Sequence, residues 1–378
     1  MEIVVVHSED PSTPEALEDL LGQARAQVGE RPARAALLLA GIDHDHQAAV
    51  DAIVDAFPGI ALIGCTTDGE MSSAGGFCED SLVLTLFVGE IEVAAGLGRN
   101  AGADPQGAAW AALGAARAGL RSPPRLCVTT PESLTCDAVV LLDRLRAGLG
   151  DVPVIGGTAA DSWRFKRCLQ FCGREVASDS VPVLLFAGSL KLSIGIASGW
   201  APIGEPSVVE AVEGNIVARI GGATATDFYQ QRLGPHHVPS GEYPLAVFDG
   251  ETSYLRAPVT YDLAHGTITF AGSVPAGARV QLTSATRDDI VAATTRAVAD
   301  ATANYPGEHP TGALLVSCAA RKQLLGTRVA EEQALVRGAM GDLPFAGFYA
   351  YGEFGPLRAG DACYFHNETF VAVVLGDR

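Results

Sequence analysis

Short apolar runs alternate along this chain with segments of helical periodicity, and three parts of the chain repeat one order of elements. In each part a strand-length apolar run is followed by a helical segment, a second apolar run and a loop that ends in a carboxylate. The second runs and their loops read FPGIALIGCTTDGE, DVPVIGGTAAD and DLPFAGFYAYGE, at residues 57–70, 151–161 and 342–353. This recurrence predicts duplicated strand–helix–strand units. Because open α/β sheets bind ligands at strand ends, we expect the three loops to line one or two pockets.

The segments between the repeats predict further strands and helices. Apolar runs at 81–88 and 91–98 are separated by Gly89-Glu90, which predicts a β-hairpin. Residues 168–220 are strand-like throughout, and residues 287–304 have the pattern of a long helix.

A loop rich in Gly, Pro and Ser at residues 234–244 predicts a domain boundary. We place an N-terminal domain at 1–235 and a C-terminal domain at 236–378. The expected fold class is α/β, with mixed sheets, outer helices, internally repeated strand–helix–strand–loop units and two similar-sized domains.

Composition and charge exclude several classes of function. The chain has 378 residues, of which 48% are hydrophobic, and a formal net charge of −18. That charge argues against binding to nucleic acid or to anionic membranes, which require basic surfaces. The N-terminal sequence MEIVVVHSEDPSTPE has no basic segment before its apolar run, so it predicts a first strand rather than a signal peptide. The eight cysteines include no C-x-x-C pair, which favours reduced thiols and a cytoplasmic location.

The first two repeat loops contain candidate ligand-binding residues. Glycine permits sharp turns, and small side chains leave room for a ligand beside the backbone amides. The structural alternative is a tight turn whose carboxylate accepts hydrogen bonds from loop amides. The candidates are Cys65, Thr66, Thr67, Glu70, Gly157, Thr158 and Asp161.

The third repeat supplies the remaining candidates. Arg321 follows an apolar strand, where its guanidinium can pair with a ligand carboxylate or with Glu353. Tyr349 and Tyr351 are two residues apart on a predicted strand, so we expect both side chains on one face. Cys318 either packs or lines a pocket, or it is a reactive thiol near a cation. The candidates from this unit are Cys318, Arg321, Tyr349, Tyr351, Glu353 and Asn367.

Other motifs give little support for a metal site or an enzyme. Asp43-His44-Asp45-His46 has metal-ligating residue types, but it lies where a helix begins and lacks a second ligand pair, so no metal is expected. The sequence has no Walker loop, dinucleotide fingerprint, G-x-S-x-G, H-E-x-x-H or C-x-x-C-H motif. We therefore expect no enzyme, with a thiol enzyme that uses Cys318 as an alternative.

Several motifs, in this order, resemble the FIST family, whose two parts are FIST N and FIST C. The motifs are I-G-C-T-T-D-G-E at 63–70, I-G-G-T-A-A-D at 155–161, G-W-A-P-I-G at 199–204, C-A-A-R at 318–321, G-F-Y-A-Y-G-E at 347–353 and H-N-E-T-F at 366–370. The resemblance covers essentially the whole chain. It implies a bacterial sensory module for small ligands such as amino acids. A subset of stand-alone members is similar to haem-containing nitric oxide sensors that act on histidine kinases.

We therefore predict a cytoplasmic sensory protein that binds a small, amino-acid-like molecule and signals through a partner protein, without a cofactor. Arg321 would bind the ligand carboxylate, and Glu353, Asp161 or Glu70 would bind its ammonium group. Replacing Arg321 with alanine would then abolish binding and leave the fold intact. The alternatives are a haem-binding nitric oxide sensor acting on a histidine kinase, a thiol enzyme and a scaffold. The histidines considered as haem ligands are His7, His44, His236, His265, His309 and His366.

Overall fold

Three copies of one strand–helix–strand unit build the centre of the molecule. In the computed structural model, which describes residues 1–358 and 360–377, the first unit spans 2–88 and the second spans 92–187. The third unit is formed by residues 191–200 and 285–376. Each unit contributes most of one six-stranded sheet.

The three sheets have the same strand order and directions. The first sheet contains, in order, Glu2–Ser8, Leu82–Val88, Ala33–Ala40, Ala61–Thr66, Gln170–Cys172 and Glu175–Ala177. The second contains Glu92–Arg99, Ser180–Ala187, Pro124–Thr129, Val154–Gly157, Glu353–Pro356 and Cys363–His366. The third contains Lys191–Ala197, Phe370–Gly376, Gly312–Cys318, Phe345–Ala350, Glu70–Ser72 and Gly76–Cys78. In every sheet the third and fourth strands are parallel, and the other pairs are antiparallel.

The last two strands of each sheet are a hairpin that comes from another unit. The hairpin at 70–78 leaves the first unit and completes the third sheet. The hairpin at 170–177 leaves the second unit for the first sheet, and the hairpin at 353–366 leaves the third unit for the second sheet. The exchange is cyclic, so the units are related by a pseudo-threefold axis and each completes the sheet of another.

Period-two alternation along the strands separates a central core from three outer ones. Val5, Val128 and Val316, one from each sheet, meet in the central core between the sheets. Their neighbours in sequence, such as Val4, face the opposite way and pack beneath helices. The first sheet is covered by the helices Thr13–Val28 and His46–Ala56, and the second sheet by Pro105–Ala118 and Ala138–Leu149. The third sheet is covered by Arg287–Ala303 and Val329–Met340. The short helix Ala319–Leu325 and the 3₁₀ turn Gly326–Arg328 lead into Val329–Met340.

A further sheet is inserted into the third unit at residues 201–284. It has its own core, which contains Val209, Phe228 and Val280. Its elements are the strands Ala201–Pro202, Ser207–Glu213, Ile216–Ile220, Ala223–Thr224, Leu245–Asp249, Thr252–Arg256, Pro258–Asp262, Thr267–Phe270 and Arg279–Ser284, with the helix Ala225–Leu233. We call this region the inserted sheet. The predicted domain boundary at 235/236 falls in the loop that connects the helix Ala225–Leu233 to the strand Leu245–Asp249, both of which belong to the inserted sheet. The boundary stays a prediction.

The α/β fold class with mixed sheets, outer helices and repeated units is confirmed. The predicted hairpin at 81–98 is wrong, because its two strands belong to different sheets. Leu82–Val88 already has a partner on each side in the first sheet, and Glu92–Arg99 pairs with Ser180–Ala187 in the second. Among the described residues, we find no helix with the length and apolar character needed to cross a membrane.

Candidate functional site

The three repeat loops meet at the pseudo-threefold axis and hydrogen-bond to one another. The Asp68 amide donates to the Tyr349 carbonyl at 2.9 Å, and the Tyr349 amide donates to the Gly69 carbonyl at 2.9 Å. The Ala160 amide of the second loop donates to the Thr66 carbonyl of the first, also at 2.9 Å. The expected convergence of the loops is therefore present, but main-chain contacts produce it.

The axis itself is tightly packed. The Thr158 amide donates to the Gly352 carbonyl at 2.9 Å. A Cβ on Gly157 would lie 2.6 Å from the Ala350 Cβ and 2.7 Å from Cγ1 of Val316. Glycine at 157 thus allows two units to approach closely, and the loops lack space for a ligand at this point.

A side-chain contact is repeated where each exchanged hairpin begins. The first hairpin residue accepts hydrogen bonds from the amide and the hydroxyl of a Ser or Thr that precedes or begins the next long strand. The three pairs are Glu70 with Ser81, Gln170 with Ser180 and Glu353 with Thr369, with distances from 2.7 to 3.2 Å. Glu70 and Glu353, both predicted as ligand-binding residues, therefore anchor their own hairpins through at least one carboxylate oxygen.

The acidic residue before each hydroxyl residue is also repeated, and one of the three differs from the others. Asp80, Asp179 and Glu368 all have left-handed backbone, with φ of 57°, 51° and 61°. Asp80 is exposed, and Asp179 accepts a hydrogen bond from the Gly102 amide at 2.6 Å. Glu368 is 0% exposed, and neither of its carboxylate oxygens has a hydrogen-bond partner among the described residues. The pseudo-symmetry is thus broken at Glu368.

Glu368 lies close to a second buried carboxylate, that of Glu353. Oε2 of Glu353 accepts from Thr369, whereas its Oε1 has no hydrogen-bond partner in the described part of the chain. Burial raises the pKa of Glu353 to about 8. Burial, together with the neighbouring Glu353 charge, raises the pKa of Glu368 well above its ordinary value, although the Arg321 charge opposes this shift. We call Glu353 and Glu368 the buried acidic pair.

The buried acidic pair lies beside a cavity of about 780 Å³ between the central units and the inserted sheet. Oε1 of Glu368 is 3.2 Å from the position of a Cβ on Gly241, a residue that lines this cavity. Thr158 also lines it, and its buried hydroxyl has no partner within residues 1–358 and 360–377. Polar groups left without partners in a buried site indicate that something else satisfies them. The predicted residues that line the cavity are Thr158, Cys318, Tyr351 and Asn367.

Aromatic side chains surround the mouth of the cavity. Trp163 and Phe165 are 37% and 46% exposed, and both line the cavity with Tyr351. The Phe165 and Tyr351 rings stack at 5.0 Å between centroids. Asp161 supports this arrangement, since its carboxylate accepts from the Tyr351 hydroxyl at 2.8 Å and from the Phe165 amide at 2.9 Å. We call Trp163, Phe165 and Tyr351 the aromatic rim; sequence analysis missed the first two.

Arg321 lies in a different buried network and does not line the cavity. Its Nη2 donates to Oε1 of Glu332 and to Oγ1 of Thr294, both at 2.6 Å. The Tyr349 hydroxyl donates to Oε2 of Glu332 at 2.6 Å. The partner of Arg321 is therefore Glu332 rather than Glu353.

The prediction that Tyr349 and Tyr351 share one face of a strand is also wrong, because the strand ends at Ala350, before Tyr351.

The other predicted residues of the first loop have structural contacts. Cys65 is buried in the central core, and the Thr67 hydroxyl donates to Glu70. Burial raises the pKa of Glu70 to about 7, against the hydrogen bonds of Thr67 and Ser81. The Thr66 hydroxyl accepts from the Leu169 amide at 3.0 Å.

Cys318 has the surroundings of a neutral thiol. Burial and the charges of Glu353 and Glu368 raise its pKa well above the ordinary value. A nucleophilic cysteine requires the opposite shift. The geometry at the cavity therefore does not support a thiol enzyme.

The cavity lining also tests the haem alternative. No histidine lines the cavity in the described part of the chain. The described lining also contains no Lys or Arg that could pair with haem propionates, and its charged residue is Asp137. The Tyr351 hydroxyl, which also lines the cavity, donates to Asp161. These residues do not fit haem, and the haem alternative stays a prediction of the resemblance.

The side chains of Asp43, Asp45 and His46 form ion-pair, helix-capping and hydrogen-bond contacts with other parts of the protein. Asp43 pairs with Arg164, Asp45 caps the helix 46–56, and Nε2 of His46 hydrogen-bonds to the Gly41 carbonyl. Among the described residues, no group of three or more His, Cys, Asp or Glu side chains is arranged to hold a metal ion.

Comparisons with known proteins identify both halves of the chain. A family model described as the FIST N domain matches residues 34–223, and one described as the FIST C domain matches residues 225–356. An uncharacterized protein of Mycobacterium tuberculosis is 26% identical over 253 residues, which cover 62% of this chain and 64% of that protein. The matched part is thus slightly under two thirds of that relative's length. An uncharacterized protein of Mycobacterium bovis is 24% identical over 373 residues, 94% of each chain.

A search of solved structures adds little to this assignment. PurLQS from Thermotoga maritima aligns with a TM-score of 0.24 and 11% identity, over 100% of this chain and 72% of that one. A similarity at this level carries no argument about fold or function.

Proposed function

The chain belongs to the FIST family, whose domains are sensory domains of signal transduction proteins, and we propose that it binds a small polar ligand with an amino group. The binding site is the cavity between the central units and the inserted sheet. The ligand's ammonium group binds to the buried acidic pair, and Thr158, Cys318 and Asn367 form the adjoining wall.

The observation that carries this proposal is the Glu368 carboxylate. It is fully buried at the edge of a cavity, and none of the described residues forms a hydrogen bond to it. Burial raises the pKa of Glu368 and so keeps its carboxyl group protonated in the free protein. An ammonium ion that reaches the group displaces this proton and forms a strong charge-assisted hydrogen bond. The two equivalent residues differ in these respects, because Asp80 is exposed and the Asp179 carboxylate accepts from the Gly102 amide.

The cavity also connects ligand binding to the arrangement of two parts of the molecule. Cys318 and Asn367 belong to the third unit, whereas Val259 and Ala271 belong to the inserted sheet. Oδ1 of Asn367 accepts from the Ala257 amide at 3.2 Å, which joins the two parts beside the cavity. A ligand that contacts both walls favours the arrangement in which they are close. A cytoplasmic partner protein, such as a histidine kinase, would read that change.

A thermal-shift panel of primary amines and amino acids, measured on the wild type, Glu368→Gln and Asp80→Asn, tests the proposal. Ligand binding to the folded state raises the unfolding temperature, by an amount that follows its concentration relative to Kd. We expect at least one compound to stabilise the wild type and Asp80→Asn but not Glu368→Gln. The absence of any shift for the wild type, or an equal shift for Glu368→Gln, would overturn the proposal.

A further inference from the structure

The charges around the cavity distinguish between two kinds of amino ligand. A zwitterion needs a cation for its carboxylate, but among the described lining residues there is no Lys, Arg or His. Asp137 is the charged residue that lines the cavity, and the buried acidic pair lies beneath its surface. The lining therefore provides a carboxylate for a positive ligand and no cation for a ligand carboxylate.

Arg256 is the cation next to this cavity, since its Nε lies 3.0 Å from the position of a Cβ on Gly272, a residue that lines the cavity. Its Nε donates to the Ser273 carbonyl at 3.0 Å, and its Nη1 donates to the Leu255 and Phe365 carbonyls at 2.9 Å. The guanidinium lies 5.6 Å from the centroid of the Phe365 ring. Phe365 lines the cavity, whereas Arg256 does not. Through Nε and Nη1, Arg256 therefore connects the inserted sheet to the third unit, and it is not among the residues that line the cavity. Arg321 is excluded as well, because it pairs with Glu332.

The aromatic rim gives the outer end of the site a second preference. The Trp163 ring lies 5.6 Å from Phe165 and 5.8 Å from Tyr351, measured between centroids. Aromatic faces attract organic cations and also stack on planar groups. The site thus combines an acidic inner end with an aromatic outer end.

From these contacts we infer that the ligand is an organic amine without a carboxylate group, whose ammonium binds Glu368 and Glu353 and whose second end contacts the aromatic rim. This inference rests on the proposed function and narrows its ligand class from amino compounds to cationic amines. It also implies that the ligand carries a guanidinium, a second ammonium or an aromatic ring at the end opposite the first ammonium.

Three matched pairs test the inference, because each amine differs from its amino acid only by the carboxylate. Calorimetric titrations of the full chain compare cadaverine with lysine, agmatine with arginine, and tyramine with tyrosine. We expect the amine of at least one pair to bind about tenfold more tightly than its amino acid. Glu368→Gln should weaken that amine by about tenfold, whereas Asp80→Asn, the same change at the equivalent position of the first unit, should leave its affinity unchanged.

The outcomes separate the inference from the proposed function. If an amino acid binds as tightly as its amine, or more tightly, the inference fails and the proposed function stands. If neither member of any pair binds, both fail. Glu353→Gln provides a second variant should Glu368→Gln not fold, and circular dichroism checks the fold of each. Trp163→Ala should weaken the bound amine by about threefold, and unchanged affinity would remove the aromatic rim from the site.

Discussion

Arg321 donates a hydrogen bond to Glu332 at 2.6 Å, and both side chains are buried. The two residues belong to the neighbouring helices Ala319–Leu325 and Val329–Met340. Arg321 also donates to the Ile290 and Ser198 carbonyls, so the ion pair joins four segments of the third unit. A buried pair of this kind is costly to break, because removing one partner leaves the other charged and unpaired.

We therefore expect Arg321→Ala to destabilise the protein by about 3–5 kcal/mol. Urea unfolding, followed by circular dichroism, measures the change in the free energy of unfolding. Arg328→Ala is the matched control: Arg328 pairs with Asp288 and Glu331 at the surface, where water screens the charges, so its loss should change the stability little. An Arg321→Ala variant with wild-type stability and no ligand binding would restore the carboxylate-clamp role predicted from the sequence.

Alanine in place of Gly64 or Gly22 should change the stability of the protein in opposite directions. A Cβ on Gly64 would lie 1.9 Å from the Leu38 carbonyl oxygen on the adjacent strand, so Gly64→Ala must separate two parallel strands and should cost about 3 kcal/mol or more. Gly22 lies in the helix Thr13–Val28, and a Cβ there meets no described atom within 4 Å. Gly22→Ala should therefore stabilise the protein by about 0.5–1 kcal/mol. Thermal unfolding of both variants checks the two signs, and destabilisation by Gly22→Ala would contradict the helix assignment.

Alkylation with iodoacetamide should label Cys318 slowly. Its thiol is buried, and its raised pKa keeps it protonated at neutral pH. Half-buried Cys78, Cys136 and Cys172 should react first, as mass spectrometry of timed digests would show. Labelling in urea provides the control, since the unfolded chain should lose this order. Selective labelling of Cys318 in the folded protein would revive the thiol-enzyme alternative.

Hydrophobic periodicity was sufficient to predict the three repeated units and the α/β class. It did not predict the exchange of hairpins, because alternation along a strand shows which face is buried and not which strand lies beside it. The wrong hairpin at 81–98 has the same cause: a short Gly-Glu connection also suits two strands that enter different sheets. The order of elements was visible locally, whereas the partners of the exchanged hairpins lie from about 100 to about 280 positions away along the chain.

The candidate site was predicted only in part, for a related reason. Thr158, Cys318, Tyr351 and Asn367 line the cavity, whereas Arg321 does not, because it pairs with Glu332. The helix of Glu332 was predicted from the pattern of the third repeat, but no motif identified Glu332 as a partner. A signal for Glu368 was present. The sequences EDSL, SDSV and NETF at 79–82, 178–181 and 367–370 are a further motif that occurs once in each unit, with an acid before Ser or Thr.

The pH dependence of stability should show the buried carboxylates directly. Glu353, with a pKa raised to about 8, keeps its proton in the folded state at pH values where the unfolded chain has lost it. Stability from such a group is therefore lost as pH rises toward the folded pKa. Buried His366, whose pKa burial lowers to about 4, acts in the opposite direction, but only below pH 6.5. Above pH 6.5 the change in stability with pH therefore comes from the buried carboxyl groups without the opposing contribution of His366.

We expect the free energy of unfolding to fall by at least about 2 kcal/mol between about pH 6.5 and 8, with Glu353 and Glu368 as the main causes. Glu353→Gln should make this decline shallower, because an amide has no proton to lose. Glu79→Gln is the control, since Glu79 is exposed and should leave the slope unchanged. Urea unfolding at half-unit steps of pH measures the slope. A flat wild-type profile, or a slope that Glu353→Gln does not alter, would show that the buried acidic pair is ionised throughout this pH range. Ionised carboxylates at this depth would need a cationic partner that is already bound in the folded protein.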